Sequence, residues 1–334
     1  MRKKYFVLVL SLLLAGCIGS SFSIKKDEYK EVKAQKKYFL KAIPVSEIMY
    51  MENVALDYPV EDEKLRTPVK KEEKIEKIDT KEQKKEDEKE IEEIKVKEKT
   101  PISYSLVDLH NLLSEGEYLK FNIQYMGIKA GTGILSIPAI TEINGNKAYH
   151  FKARATSASP FSWVFKVNDI IQSYLDYNNG YSLKITKDIR EGSYTRSDNI
   201  EFIQKENKVK KITNENDPKK IDTIPNALDI LSAFYVFRTL DLEVGRTYSL
   251  PVYDVEKSYN LKVEVLDKEM VEVPAGRFKA FKIKPVLESM GIFKHKGDIL
   301  LWISDDDKRI PLVLKSSIMI GSVYGVLVKY KVRE

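Results

Sequence analysis

Few residues of this chain have the types and the spacing that catalysis or metal binding requires. The only thiol is Cys17, and the three imidazoles, His110, His150 and His295, stand at no metal-ligand spacing from one another or from acidic residues. No Gly-x-Ser-x-Gly elbow marks a serine nucleophile. The sequence therefore indicates no catalytic residue, no metal site and no cofactor.

One acidic cluster leaves two interpretations open. Residues Asp305-Asp306-Asp307 could bind calcium or supply a general acid. They stand between two apolar runs, with Lys308 and Arg309 beside them, which is typical of a solvated hairpin turn. We expect the turn.

Aromatic residues are the remaining candidates for a binding function. We predict that four of them line a ligand cavity: Trp163, Phe234, Phe237 and Trp302. The same rings could instead form the core of a large sheet, which is the more common role of buried aromatics. This second interpretation also applies to the other rings of the set, namely Phe161, Phe165, Tyr174, Tyr235, Phe281 and Phe293.

The N-terminus explains the lone thiol. Arg2, Lys3 and Lys4 form a cationic region, and residues 5–14 form an apolar stretch too short to span a bilayer stably. The run Leu14-Ala15-Gly16-Cys17 then resembles the lipobox of bacterial lipoproteins, which is cleaved before a lipid-bearing cysteine. We therefore predict a signal peptide over residues 1–16, with Leu14, Ala15 and Gly16 at the cleavage site and lipidation of Cys17.

Lipidation would make the membrane a partner of the mature protein. Several acyl chains on one cysteine hold a protein on a bilayer almost permanently, since each buried methylene contributes about 0.8 kcal/mol. Ile18 follows Cys17 where an Asp would retain lipoproteins of enteric bacteria at the inner membrane. That resemblance implies an outer-membrane anchor facing the periplasm. The formal net charge of +6 is too small and too scattered to indicate a nucleic-acid partner.

Residues 17–100 are predicted to be a flexible tether. Between residues 69 and 99 the chain holds 11 Lys and 12 acidic residues, so it cannot bury enough apolar surface to offset its conformational entropy. An apolar segment at residues 39–58 interrupts the tether. It could dock on a partner, on the membrane or on the chain's own folded part.

From residue 101 to residue 334 we predict a single β-rich domain. Apolar and polar residues alternate, and turn signals such as Asn144-Gly145-Asn146, Asn178-Asn179-Gly180 and Pro274-Ala275-Gly276 recur. The pattern predicts an antiparallel meander of about twelve to fourteen strands, curled into a barrel or half-barrel. Gly127, Gly131 and Gly133 are expected inside strands, as bends of the sheet.

One apolar helix is predicted at residues 226–239, following Pro225 and capped by Asn226. Its apolar residues occupy more than one stripe, so it should be covered on several sides and pack on or in the sheet.

Several strings together resemble a family of exported bacterial proteins known only as a domain of unknown function. They are residues 127–132 (GIKAGT), 190–194 (REGSY), 229–238 (DILSAFYVFR), 273–278 (VPAGRF) and 302–311 (WISDDDKRIP). The resemblance covers nearly all of residues 104–334. It implies a mainly β domain outside the cytoplasm and assigns no catalytic or ligand residue.

Three functions remain open. The first is a noncatalytic cell-envelope lipoprotein that binds or shuttles an apolar ligand or assists envelope assembly. The alternative is a structural scaffold with a solid core that holds partners. The third is a hydrolase of envelope polymers, which would need Asp169 with Asp176, or Asp298 with Asp305, to face one cleft.

Overall fold

A computed structural model describes residues 106–333, except residues 126, 160, 255–256, 287–298 and 318–321. Outside the described residues lie the predicted signal peptide, Cys17, the tether, the segment at 39–58, and also Phe293, His295 and Asp298. No helix in the described part is long and apolar enough to cross a membrane.

The described chain folds into strands with three helices. The helices are α1 (Leu106–Leu112), α2 (Phe161–Val164) and α3 (Ile230–Arg238). The first eight strands are β1 (Tyr118–Tyr125), β2 (Ile128–Ile143), β3 (Asn146–Ser157), β4 (Asn168–Asp176), β5 (Ser182–Glu191), β6 (Tyr194–Ile203), β7 (Lys208–Thr213) and β8 (Lys219–Asp222). After α3 follow β9 (Thr247–Asp254), β10 (Lys257–Val273), β11 (Gly276–Val286), β12 (Ile299–Ser304), β13 (Pro311–Ser317) and β14 (Ser322–Lys331).

All fourteen strands belong to one sheet. Its order is β8-β7-β6-β5-β4-β3-β2-β1-β14-β13-β12-β11-β10-β9, so two meanders meet where β1 pairs with β14. Every pair of neighbouring strands is antiparallel, and β8 and β9 form the two edges. This confirms the predicted antiparallel meander and strand number. The sheet is open and does not close into a barrel.

The hairpin turns follow from residues that tolerate positive φ. Asn144 and Gly145, at φ 52° and 80°, form a two-residue turn closed by the pair Ile143 and Asn146. Gly180 turns β4 into β5 at φ 71°. The predicted glycine bends were partly wrong, because Gly127 lies in the β1–β2 turn at φ 77° rather than inside a strand.

Contacts between distant strands show that the sheet curls. Lys187 of β5 forms an ion pair with Asp254 of β9 at 3.1 Å. Phe202 of β6 packs edge-on against Tyr253 of β9, with ring centroids 6.0 Å apart. The β5–β7 side of the sheet therefore approaches β9 across the concave face.

The helix start predicted at Asn226 was wrong. Asn226 is a turn residue at φ 56°, and Leu228 bonds to β9 through Leu228 N to Pro251 O and Tyr253 N to Leu228 O, both 2.8 Å. Because this backbone is already paired with a strand, α3 begins only at Ile230, after Asp229 caps it.

Helix α3 is covered on several sides, as predicted. Seven of its nine residues are buried: Leu231, Ser232, Ala233, Tyr235, Val236, Phe237 and Arg238. Tyr235 stacks on Phe151 of β3 at 4.0 Å, which fixes the helix against the inner face of the sheet.

The two ends of the sheet differ, because helix α3 lies at one of them. Odd-numbered strands all run in one direction, because every neighbouring pair is antiparallel. Helix α3 bonds near the start of β5, through Ser182, and beside the start of β1, through Glu117. We call this end of the sheet the α3 end. The opposite end, where the odd-numbered strands finish, we call the far end.

Candidate functional site

Charged side chains point into the concave face of β4–β7. Inward positions alternate with outward ones, and cross-strand pairing puts Lys187 opposite Asp198 on that face. Lys187 is 8% exposed and Asp198 6%. Together with Asp254 of β9 these inward residues form what we call the far-end cluster: Asp169, Lys187, Glu191, Asp198, Lys211 and Asp254, all buried.

Lys187 and Asp254 are the link across the concave face. The ammonium lies 3.1 Å from Asp254 Oδ1, with both side chains nearly withdrawn from solvent. Such a pair adds little net stability, because removing two charges from water offsets most of their attraction.

Asp198 is held by two donors. Arg196 Nε donates to its Oδ2 at 2.8 Å, and the Thr213 hydroxyl donates to its Oδ1 at 2.6 Å. The carboxylate is thereby fixed on the same face as Lys187.

Asp169 and Glu191 form a buried acid pair. Their side chains are in contact. The pKa of Asp169 is raised to about 6. Burial raises it most, the bond from Arg190 N–H and the contact with Glu191 lower it, and nearby Asp188 raises it. The Arg190 bond measures 2.8 Å. Asp169 can therefore hold or release a proton near neutral pH.

A second polar network occupies the α3 end, and we call it the helix network. Asp229 Oδ1 accepts from the N–H groups of Leu231 and Ser232, both at 3.0 Å, as an N-cap does. Its Oδ2 accepts from the hydroxyls of Ser173 and Ser182 at 2.7 and 2.6 Å. Both carboxylate oxygens of this fully buried acid are thus satisfied.

The C-terminus of helix α3 is held by a buried ion pair, which we include in the helix network. Arg238 donates from two nitrogens to the two oxygens of Glu117, at 2.8 and 2.9 Å, and from Nε to the carbonyl of Arg309 at 2.9 Å. Both side chains are at most 2% exposed. The ring of Tyr235 lies beside the guanidinium at 5.2 Å. These contacts tie α3 to β1 and to the β12–β13 turn.

The four predicted ligand-lining residues have different surroundings. Phe237 is buried against Tyr248, and Phe234 lies on a half-buried side of α3. Trp302 of β12 donates its indole N–H to Glu269. Trp163 is 85% exposed on α2. Their role in ligand binding stays a prediction.

The predicted carboxylate pair Asp169 and Asp176 is not brought together. The two residues stand at opposite ends of β4, roughly 20 Å apart for an extended strand. Asp176 instead accepts from the backbone N–H groups of Asn178 and Asn179, at 2.9 and 2.7 Å, in the β4–β5 turn.

The acidic triplet at residues 305–307 lies in the β12–β13 turn, in agreement with the turn interpretation. Asp306 Oδ1 accepts from the N–H groups of Lys308 and Arg309. Asp305 contacts Lys268 at 3.0 Å. Within the described ranges, no three His, Cys, Asp or Glu residues lie close enough together to hold a metal ion.

The described histidines pack on tyrosines. His110 stacks on Tyr177 at 4.1 Å and bonds to the Tyr149 hydroxyl at 2.7 Å. His150 lies 3.1 Å from Gln172 Oε1, and burial lowers its pKa. Their contacts are those of structural residues.

Sequence reasoning missed most of the far-end cluster. The sequence patterns indicate only Asp169 of this cluster, and they pair it with Asp176. The signal was present in β5, where Lys187 and Glu191 occupy the same alternate positions as Ile185 and Ile189. A charged residue in a strand whose neighbours two positions away are apolar shares their buried face, so it indicates a buried charge.

Comparisons with known proteins give a family and distant structural likenesses. A family model described as "Protein of unknown function (DUF3108)" matches residues 120–328. No curated protein matches.

Three solved structures are similar to this chain. A β-barrel-like protein of the domain of unknown function DUF1849 from Brucella abortus is 8% identical, with a TM-score of 0.45, over 65% of this chain and 98% of that chain. A protein described as exported, with a YmcC-like fold, from Bacteroides fragilis is 12% identical, with a TM-score of 0.31, over 65% and 96%. A protein described as a lipoprotein from Parabacteroides distasonis is 11% identical, with a TM-score of 0.29, over 65% and 96%.

Proposed function

This chain belongs to the DUF3108 family of proteins of unknown function, and from that premise we propose a noncatalytic envelope protein that binds an apolar ligand with a polar head group. Family membership assigns no activity, so the proposal depends on the chain's own residues. The leader and Cys17 support export and a lipid anchor, and Ile18 supports the outer membrane, facing the periplasm.

The far-end cluster is the observation that carries the proposal. Burying a charge costs several kcal/mol unless it is paired and hydrogen-bonded, so interiors rarely keep charges that packing does not need. Here six ionisable side chains share one concave face. Clusters of this kind are concentrated at functional sites.

The chemistry of the cluster suggests the head group. Lys187 and Lys211 supply ammonium donors for a phosphate or carboxylate, and the acid pair Asp169 and Glu191 supplies a proton. Apolar inward residues on the same strands, such as Ile185 and Phe202, would meet the apolar part of the ligand.

Mass spectrometry of the full-length Cys17→Ser chain, purified without detergent, tests the proposal. We expect a stoichiometric amphiphile in the native protein and in its lipid extract. The double variant Lys187→Met/Asp254→Leu removes both charges of a pair together, a change that proteins often tolerate. It should lower ligand occupancy at least tenfold.

The matched control is Arg238→Met/Glu117→Leu, which removes the buried pair of the helix network. It should leave occupancy unchanged. If the parent chain carries no ligand, the binding proposal fails and the scaffold alternative is favoured.

The hydrolase alternative has one observation in its favour, the raised pKa of Asp169. However, Asp169 and Glu191 are in direct contact, whereas glycoside hydrolysis separates its two carboxyl groups by about 5–9.5 Å. The geometry therefore supports binding better than hydrolysis of polysaccharides.

The anchor is tested separately. Replacing Cys17 by Ser removes the only thiol that could be acylated. We expect the variant protein to leave the membrane fraction of cells that produce it. If it still fractionates with membranes after a high-salt wash, which weakens charge-dependent contacts, Cys17 is not the anchor.

A further inference from the structure

Trp163 is held outside the fold by its neighbours. On α2, Phe161 is 6% and Phe165 9% exposed, whereas Trp163 between them is 85% exposed. The two buried rings anchor the segment on both sides. A tryptophan buries 150–250 Å² where it packs, so this degree of exposure leaves a large apolar surface in water.

The segment that carries Trp163 is fixed to the far end. Ala158 N bonds to Ala130 O, and Gly192 N bonds to Lys166 O, both at 2.8 Å. The ring of Phe165 lies over Gly192, where an added Cβ would come within 2.8 Å of it. The segment is thereby joined to β2, which follows the β1–β2 turn, and to the β5–β6 turn.

The charges around Trp163 are mainly positive. Lys129 and Lys166 are exposed. Arg190 is also exposed and bonds to Asp188 at 2.9 Å. The acids Asp169 and Glu191 at this end are buried. Further along the same end, the β7–β8 connection adds the exposed acids Glu215 and Asp217, followed by Lys219 and Lys220.

We propose that the far end docks on an anionic phospholipid surface, with the Trp163 indole inserted among the head groups and Lys129 and Lys166 beside it. Indole rings favour the boundary between head groups and acyl chains, since they are apolar with one polar N–H. Lysines near such a surface are attracted by its negative potential. The exposed ring and its cationic surroundings fit this occupant. Docking would bring the far-end cluster close to the bilayer.

Tryptophan fluorescence tests the docking directly, because the chain has only two tryptophans. In the full-length Cys17→Ser/Trp302→Phe chain, Trp163 is the sole indole and no acyl group is attached. With phosphatidylglycerol vesicles we expect a blue shift of its emission and quenching by lipids brominated near the head group. Neither change should occur with phosphatidylcholine vesicles. The leader cannot produce this signal, since it contains no tryptophan.

The matched control is Cys17→Ser/Trp163→Phe, in which Trp302 reports from β12. Its emission should not change with either vesicle. An unchanged Trp163 emission, or equal shifts on both lipids, would overturn the proposal in favour of a protein partner or of nonspecific insertion.

The charge requirement is tested by Lys129→Gln/Lys166→Gln. In the single-Trp163 chain, partition onto phosphatidylglycerol vesicles should fall about thirty-fold, given the usual contribution of each basic residue near an anionic surface. The control Lys205→Gln/Lys331→Gln removes the same charge from exposed positions at the α3 end and should leave partition within about twofold. Equal losses in the two variants would contradict docking by the far end.

Discussion

The helix network and the far-end cluster are both buried polar networks, yet the carboxylates of Asp229 in the first and Asp169 in the second differ in the donors they meet. In the helix network, Asp229 accepts four hydrogen bonds and Glu117 receives two nitrogens of Arg238. In the far-end cluster, Asp169 Oδ2 receives no N–H or O–H donor from the described residues, and its carboxyl contacts that of Glu191. The first arrangement holds α3 on the sheet, whereas the second is the site at which we propose ligand binding.

The difference follows from what each network connects. The helix network joins α3 to three separate parts of the sheet, so every lost bond would leave a buried group unpaired. Five of the six residues of the far-end cluster lie on one face of the adjacent strands β4–β7, which their own ladders already hold together, and Asp254 comes from β9. Its charges are therefore not needed to assemble those strands.

Breaking the ion pair of the helix network should have the largest effect. Arg238→Met leaves Glu117 as an unpaired buried charge, which costs about 3–5 kcal/mol of the free energy of unfolding. Lys187→Met in the far-end cluster should cost less, about 1–3 kcal/mol, because Lys187 reaches one oxygen of Asp254, whereas Arg238 reaches both oxygens of Glu117 and the carbonyl of Arg309. Urea denaturation at pH 7 measures both.

The double variant Arg238→Met/Glu117→Leu provides the control, since it removes both charges. It should recover most of the loss. If Lys187→Met destabilises as much as Arg238→Met, the proposed distinction between the two networks is wrong.

Titration of Asp169 should make the free energy of unfolding depend on pH. Its folded pKa of about 6 lies above the ordinary value of 3.8, so the folded state binds the proton more tightly than the unfolded state. The resulting stability is present below pH 4 and is lost as pH rises through 6. The loss should be on the order of 2 kcal/mol.

Asp169→Asn removes this titration. Its free energy of unfolding should therefore stay flatter between pH 4 and pH 7 than that of the parent chain, as measured by urea denaturation at several pH values. A parent-like slope in Asp169→Asn would show that another group titrates.

The smallest expected effect is a difference in stability between alanine variants of two glycines. Gly116 at the α3 end and Gly192 at the far end have φ of 88° and 58°, so alanine is strained at both, by about 1 kcal/mol. An alanine Cβ meets nothing within 4 Å at Gly116, but at Gly192 it would lie 2.8 Å from the Phe165 ring.

Gly192→Ala should therefore lower the melting temperature more than Gly116→Ala. It should also change the emission of Trp163, because Phe165 anchors the same segment. Equal melting temperatures would mean that the Phe165 ring moves aside at no cost.

Much of the fold could be predicted because its signals are local. Alternation in β1 and β4, and the Asn144-Gly145 turn, depend on neighbouring residues alone. The start of α3 could not be predicted, because β9 pairs with Leu228 from a distant part of the chain.

The candidate site was far less predictable. The charges of the cluster come from five strands, and the link from Lys187 to Asp254 joins residues 67 positions apart. Trp163 was grouped with interior aromatics because composition does not distinguish an exposed ring from a buried one. Only the burial of Phe161 and Phe165 shows which way it points.

The sequence by itself determined the strand pattern, the turns and the presence of one apolar helix, since each depends on the chemistry of adjacent residues. It also provides the grounds for expecting a leader and a lipid-bearing Cys17. Tertiary structure alone decided which charges share the concave face, and which polar groups find partners. The physical reason is that the curl of the sheet brings β5 to β9, and no local pattern in either strand specifies that approach.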